Sequence, residues 1–110
     1  MRRAKKERLK AAGWRVGSAE EFLGLSKEEA AFVEIKLALA ESMRKRRQAR
    51  RLTQTQLAKK IGSSQSRVAK MEAADPSVSI DLLVRSLLAM GVSRSDVARV
   101  MGRRRTRRAA

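Results

Sequence analysis

The sequence lacks the side chains on which most enzymes and metal sites depend. It has no cysteine, no histidine and no tyrosine, and only one proline, one tryptophan and two phenylalanines among 110 residues. This composition excludes disulfides, thiolate or imidazole metal sites, cysteine nucleophiles and imidazole acid–base catalysis. We therefore expect no metal, no cofactor and no enzymatic activity.

Long apolar runs are also missing. No run approaches the roughly 18 residues that a membrane-spanning helix requires, and the basic residues 1–10 are not followed by the apolar segment of a secretory signal. We therefore expect a cytoplasmic protein with no membrane partner.

Positive charge dominates what is present. The chain carries 27 Lys and Arg against 11 Asp and Glu, which gives a formal net charge of +16 and a pI near 11.7. Basic residues are concentrated in residues 1–17, 44–51 and 103–108, whereas residues 18–43 hold six Glu and two Lys. Separate basic blocks around an acidic stretch favour a polyanion-binding protein with a defined face, associated with the nucleoid. The alternative is solvated charge that serves only solubility.

The hydrophobic residues are mainly Leu, Val, Ile, Ala and Met, a composition typical of helices. No stretch alternates with period two for long enough to be a strand, so we expect an all-α fold. A hydroxyl residue followed three positions later by Glu or Gln is typical of a helix start, and this spacing occurs at Ser18 and Glu21, Ser26 and Glu29, and Thr53 and Gln56.

These signals, with the glycines that can end helices, divide the chain into segments. We predict a short helix over 19–23 that Gly24 ends, a long helix over 27–50, and four further helices. These four begin near Thr53, Ser64, Ser79 and Ser93, and the last ends at Gly102. The predicted organisation is a basic N-terminal extension over 1–26, a helical domain over 27–102 and a basic C-terminal tail over 103–110.

One segment carries a more specific pattern. Residues 53–72 read TQTQLAKKIGSSQSRVAKME. Ala58 is small where two helices pack closely, Gly62 provides the turn, and apolar residues that can form a shared core recur at helical spacing: Leu57, Ile61, Val68 and Met71. The segment resembles the helix-turn-helix of the Xre family, which includes lambdoid phage repressors and Cro proteins, and the resemblance extends from about residue 36 to Val92.

The resemblance implies a five-helix repressor-like domain and one structural ion pair. Arg47 and Glu72 occupy the positions at which an Arg of the first helix pairs with a Glu that ends the recognition helix. The sequence departs from the family at Arg51, where Gly is usual, and at Ser63, where an apolar residue is common. A non-Gly residue with positive φ costs about 1 kcal/mol, and Gly avoids this cost in the turn before Thr53.

The resemblance also implies a reading surface on double-stranded DNA. The start of the recognition helix faces the major groove, where the candidates for base contacts are Gln65, Ser66, Arg67 and Lys70. A Gln side chain can form two hydrogen bonds with adenine, whereas Arg and Lys favour guanine. Arg67 and Lys70 either read bases or bind phosphate. The candidates for phosphate contacts are Gln54, Lys59, Arg51, Arg103, Arg104 and Arg105.

The leading interpretation is a sequence-specific transcriptional regulator that acts as a repressor and a homodimer. Apolar stripes that pack either within the domain or in a dimer include Phe32, Ile35 and Leu39, and residues 82–101. One alternative is an autoregulating antitoxin of a type II toxin–antitoxin module, in which residues 13–32 contact a toxin. The other is a basic nucleic-acid-binding protein with little sequence preference.

Overall fold

The computed structural model describes Gly24 and residues 26–103. In this part of the chain five helices occur and no strand, which confirms the all-α prediction. The helices are α1 (Lys27–Ala49), α2 (Gln54–Ile61), α3 (Gln65–Glu72), α4 (Ile80–Ala89) and α5 (Arg94–Met101). Three predicted segments lie wholly or partly outside the described residues. They are the helix over 19–23, the tail over 104–110, and the part of the 13–32 segment that precedes Ser26, except Gly24.

The helix starts follow the local sequence. Ser26 and Glu29 exchange two hydrogen bonds of 3.1 Å between side chain and backbone, and Thr53 and Gln56 form the same reciprocal capping box. Three serines accept a hydrogen bond from the backbone N–H three residues on, at the starts of α3, α4 and α5: Ser64, Ser79 and Ser93. Each of these caps satisfies an N–H group that the helix itself leaves without a partner.

Four helices are followed by a residue in the left-handed conformation, which is glycine after two of them and another residue after the other two. Gly62 and Gly91 follow α2 and α4 with φ of 71° and 92°, but Arg51 and Ala74 follow α1 and α3 with φ of 59° and 52°. At each of the four ends, the next residue donates its N–H to the carbonyl five positions back; for α1 this is Leu52 to Arg47 at 3.1 Å. The left-handed residue itself donates its N–H to the carbonyl three positions back, and the two bonds together define Schellman caps. The turn before Thr53 thus keeps the left-handed geometry although Arg replaces Gly.

All five helices contribute to one apolar core. The largest fully buried side chains are Leu39 and Met43 of α1, Leu57 of α2, Val68 and Met71 of α3, Leu83 and Leu87 of α4, and Val100 of α5. The helix α2 packs against α3 and α4, and α4 packs against α5. The compact unit that contains this core spans Ile35–Arg103.

Polar side chains fix α3 within the unit. Lys36 Nζ donates to the Asp75 carbonyl just beyond α3 at 3.0 Å. The buried Ser86 hydroxyl of α4 donates to Met71 Sδ at 3.2 Å. Both contacts lie at or beyond the C-terminal end of α3, and its buried side chains Val68 and Met71 hold the rest of the helix in the core. The packing of the unit therefore determines the direction in which the N-terminus of α3 points.

Most of the apolar surplus noted in the sequence belongs to this core. Leu83, Leu87 and Val100 are fully buried, and the described exposed large hydrophobic residues are Phe32 at 55% and Leu88 at 41%. None of the described helices combines the length and apolarity needed to cross a bilayer.

Candidate nucleic-acid interface

The second and third helices are joined by a three-residue turn. Gly62 ends α2 in the left-handed conformation, and Ser64 caps α3 in an extended one. A Cβ added at Gly62 would meet nothing within 4 Å, so the turn requires glycine for its backbone conformation and not for space. This turn leaves the N-terminus of α3, beginning with Gln65, exposed.

The helix α3 has one buried side and one exposed side. Val68 and Met71 are fully buried, whereas Ser66, Arg67 and Lys70 are exposed. Ser66 and Lys70 are four residues apart and so lie on one face of the helix. All four residues predicted to read bases are therefore exposed on the same eight-residue helix, with Gln65 in its first turn.

The structure brings Arg47 and Glu72 together as the resemblance implied. Arg47 Nε lies 2.6 Å from Glu72 Oε2 and Nη2 lies 3.0 Å from Oε1, a bidentate arrangement. Arg47 Nη1 also donates to the Leu52 carbonyl at 2.8 Å. The side-chain hydrogen bond to Glu72 is the main cause that raises the pKa of Arg47, and desolvation partly opposes it. The pair joins α1, the turn before α2, and the C-terminal end of α3.

Two glutamines extend the hydrogen bonds of the Arg47–Glu72 pair toward solvent. Gln54 Nε2 donates to Glu72 Oε1 at 3.1 Å, and Gln65 Nε2 donates to Gln54 Oε1 at 2.8 Å. Both contacts were absent from the sequence-based predictions, because they depend on how α2 and α3 cross. The amide of Gln54 keeps one N–H that can still donate to a phosphate oxygen.

The remaining predicted phosphate contacts lie on different elements of the chain. Arg51, Lys59 and Arg103 are exposed, and none forms an ion pair with another described residue. Arg104 and Arg105 lie outside the described residues. The structure thus leaves three cations accessible to a polyanion.

The interface is rich in donors and poor in exposed negative charge. The acidic residue of α2 and α3 is Glu72, whose side chain is 4% exposed and paired with Arg47. The exposed groups are hydroxyl, amide, guanidinium and ammonium, which can donate hydrogen bonds to phosphate and to base acceptors. No grouping of acidic residues suited to a metal ion occurs in the described part of the chain.

Comparison with known proteins identifies the same region. The HTH_3 family model, described as Helix-turn-helix, matches residues 43–97, which is half of the 110-residue chain. The match begins at the buried Met43 of α1 and includes α2, α3 and α4 in full. Searches of curated proteins and of solved structures give no match.

Proposed function

Because the chain belongs to the Xre-like helix-turn-helix family of DNA-binding regulators, we propose that it is a sequence-specific repressor that binds operator DNA as a homodimer. In this proposal α3 enters the major groove with its N-terminus toward the base edges. The observation that carries the proposal is Gln65, exposed at the start of α3 and held by Gln54 at 2.8 Å.

The hydrogen bond to Gln54 leaves Gln65 able to read a base. A glutamine amide has two N–H donors and a carbonyl acceptor, and one of those donors is used by Gln54. The remaining N–H and the carbonyl match the N7 acceptor and N6 donor of adenine. Ser66, Arg67 and Lys70 extend the readout along the exposed face of α3, with Arg67 and Lys70 available for guanine or for phosphate.

Contacts with the DNA backbone supply affinity and set the register. The first turn of α2, at Gln54, presents backbone N–H groups that suit a phosphate oxygen. Arg51, Lys59 and Arg103 are exposed cations that add contacts independent of sequence. We assign the same role to Arg104 and Arg105 from the sequence alone.

Dimerisation is proposed because one short helix contacts few base pairs. Two copies related by a two-fold axis would place their recognition helices on half-sites one helical turn apart. Leu88 of α4, a large apolar residue that is 41% exposed, supports a surface for a second copy.

The proposal is tested by selection from a randomised duplex pool with the purified full chain near physiological salt. The best sequence and a scrambled one are then compared over a salt series. A two-fold motif preferred by roughly 10³ or more is expected for a dimeric site-specific regulator. If no motif is enriched and affinity follows salt alone, the chain is a non-specific binder.

The readout itself is tested with Gln65→Ala. We expect the preference at one or two base pairs of the selected site to relax, because the amide that distinguishes them is gone. Lys59→Ala is the control and should weaken binding to all duplexes alike while it lowers the salt dependence. Unchanged relative affinities across single-base variants of the site would show that Gln65 does not read a base.

A further inference from the structure

The start of α1, residues 27–34, has a buried side that does not belong to the core. Ala30 is 4% exposed and Val33 is half-buried, yet neither is part of the core cluster or of the hydrophobic residues packed against it. Ala31 has the same side chain as Ala30 one residue later, and it is exposed. The helix itself therefore does not account for the burial of Ala30, and another part of the chain must cover it.

The core does not supply this cover. The compact unit that contains the core begins at Ile35. Phe32 lies about two turns before the fully buried Leu39 and on the same side of α1, and yet Phe32 is 55% exposed. Ala30 lies about two and a half turns before Leu39 and so on the opposite side of the helix. At the start of α1, the side opposite the core is therefore covered, although Phe32 on the core side is exposed.

The chain outside the described residues contains one stretch that is rich in large apolar side chains. Residues 104–110 are four Arg, one Thr and two Ala, and the large apolar residues of 1–13 are Met1 and Leu9. Residues 14–23 hold four such residues: Trp14, Val16, Phe22 and Leu23. Because an apolar surface is covered most favourably by other apolar groups, residues 14–23 are the segment suited to Ala30 and Val33.

The position of this segment in the chain also suits the start of α1. Leu23 is followed by Gly24, whose left-handed φ of 68° is typical of turns, and Ser26 caps α1 soon afterwards. Along α1, Val33 lies about 10 Å from Ser26, because each residue adds about 1.5 Å. A segment of about ten residues spans up to about 35 Å when extended. Residues 14–23 are therefore long enough to return along α1 as far as Val33.

We propose that residues 14–23 dock on the start of α1, where Ala30 and Val33 form the docking surface and Trp14 and Phe22 belong to the apolar side chains that cover it. The inference does not depend on the proposed function, because none of these residues is a proposed DNA contact. It assigns this side of α1 to a contact within one molecule, so the homodimer that we propose would not use it.

The fluorescence of Trp14 measures the docking in the full-length chain. Trp14 is the single tryptophan of the sequence, so the signal comes from this segment alone. A docked indole is shielded from water, so its emission should lie at a shorter wavelength than in the same chain unfolded by denaturant, and acrylamide should quench it less. Both properties should be independent of protein concentration, because the segment and the docking surface belong to one molecule.

Ala30→Glu tests the docking surface itself. A carboxylate without a partner is not tolerated under apolar cover, so the emission and quenching of Trp14 should shift to the values of the unfolded chain. Ala31→Glu is the matched control, because it places the same side chain one residue later at an exposed position. It should change neither property. Circular dichroism establishes that both variants keep their helices at the temperature of the fluorescence measurement.

A second variant, Phe22→Ser, alters the segment and leaves every described residue unchanged. It should also shift the emission of Trp14 toward that of the unfolded chain, and it decides the question if Ala30→Glu does not fold. The proposal is overturned if Trp14 of the unmodified chain emits as it does in denaturant, or if Ala30→Glu and Ala31→Glu have the same effect. A shielded Trp14 that appears only as the protein concentration rises would assign the docking surface to a second copy and overturn the proposal as well.

Discussion

Two arginine–carboxylate pairs of this chain have the same chemistry and opposite surroundings. Arg47 and Glu72 are 14% and 4% exposed and make two short hydrogen bonds between α1 and α3. Arg85 and Asp81 are each 76% exposed, lie four residues apart on α4, and approach to only 3.7 Å. The first pair links two helices, and loss of one partner would leave a buried charge that cannot be solvated, whereas both charges of the second pair lie in water on one helix.

The buried pair also organises neutral groups around it. Its atoms hold the Leu52 carbonyl and the Gln54 amide, whereas the described hydrogen bonds of Asp81 and Arg85 include no comparable side-chain partners. Of the two pairs, the buried one is hydrogen-bonded to Gln54, a residue that we propose contacts DNA.

The largest expected difference between the pairs is in stability. Arg47→Met leaves Glu72 buried without its cation and should lower the free energy of unfolding by about 3 kcal/mol. Arg85→Met should change it by less than about 0.5 kcal/mol, because both charges are solvated. Chemical denaturation of the two variants at the same salt concentration measures the difference.

The double variant Arg47→Met with Glu72→Met serves as the control for this prediction. It removes the unpaired charge, so it should be more stable than Arg47→Met alone. Equal losses for Arg47→Met and Arg85→Met would show that burial does not distinguish the pairs.

A substitution in the turn next to the buried pair is expected to change stability and DNA affinity in opposite directions. Arg51 has a φ of 59° at the end of α1, so Arg51→Gly should raise the free energy of unfolding by about 1 kcal/mol. Because Arg51 is also a proposed phosphate contact, the same variant should bind all duplexes more weakly and reduce the salt slope by about 1. Thermal unfolding and a salt titration of DNA affinity measure the two effects.

Ala74→Gly is the matched control, with a φ of 52° and no change of charge. Its gain in stability should be smaller, because the Ala74 methyl packs against the core, and its salt slope should equal that of the unmodified chain. A reduced salt slope in Ala74→Gly would mean that the effect of Arg51→Gly is not caused by the lost charge.

The smallest effect is expected at Ser63, in the turn between α2 and α3. Its hydroxyl is buried without a hydrogen-bond partner among the described residues. Ser63→Ala should therefore stabilise the fold by about 0.5 kcal/mol. Ser86→Ala provides the contrast, because the Ser86 hydroxyl donates to Met71 Sδ at 3.2 Å and its removal should bring no gain. A loss of stability in Ser63→Ala would indicate a partner for its hydroxyl in solution.

The helix boundaries could be predicted because their causes are local. Ser26, Thr53 and Ser64 cap helices through residues three positions away, and such spacings are visible in the sequence. The expectation for Arg47 and Glu72 came from the resemblance, since 25 residues separate them. The contacts of Gln54 with Glu72 and Gln65 were not predicted, because they require the relative placement of two helices that only the packed core determines.

The division of α3 into a buried side and an exposed side affects how the protein can evolve. Val68 and Met71 belong to the core, so substitution there threatens the whole domain. Ser66, Arg67 and Lys70 are exposed, and exchanges at these positions should cost little stability. A duplicated copy of the gene could therefore change the residues that we propose read DNA through a few exposed substitutions and remain folded at each step.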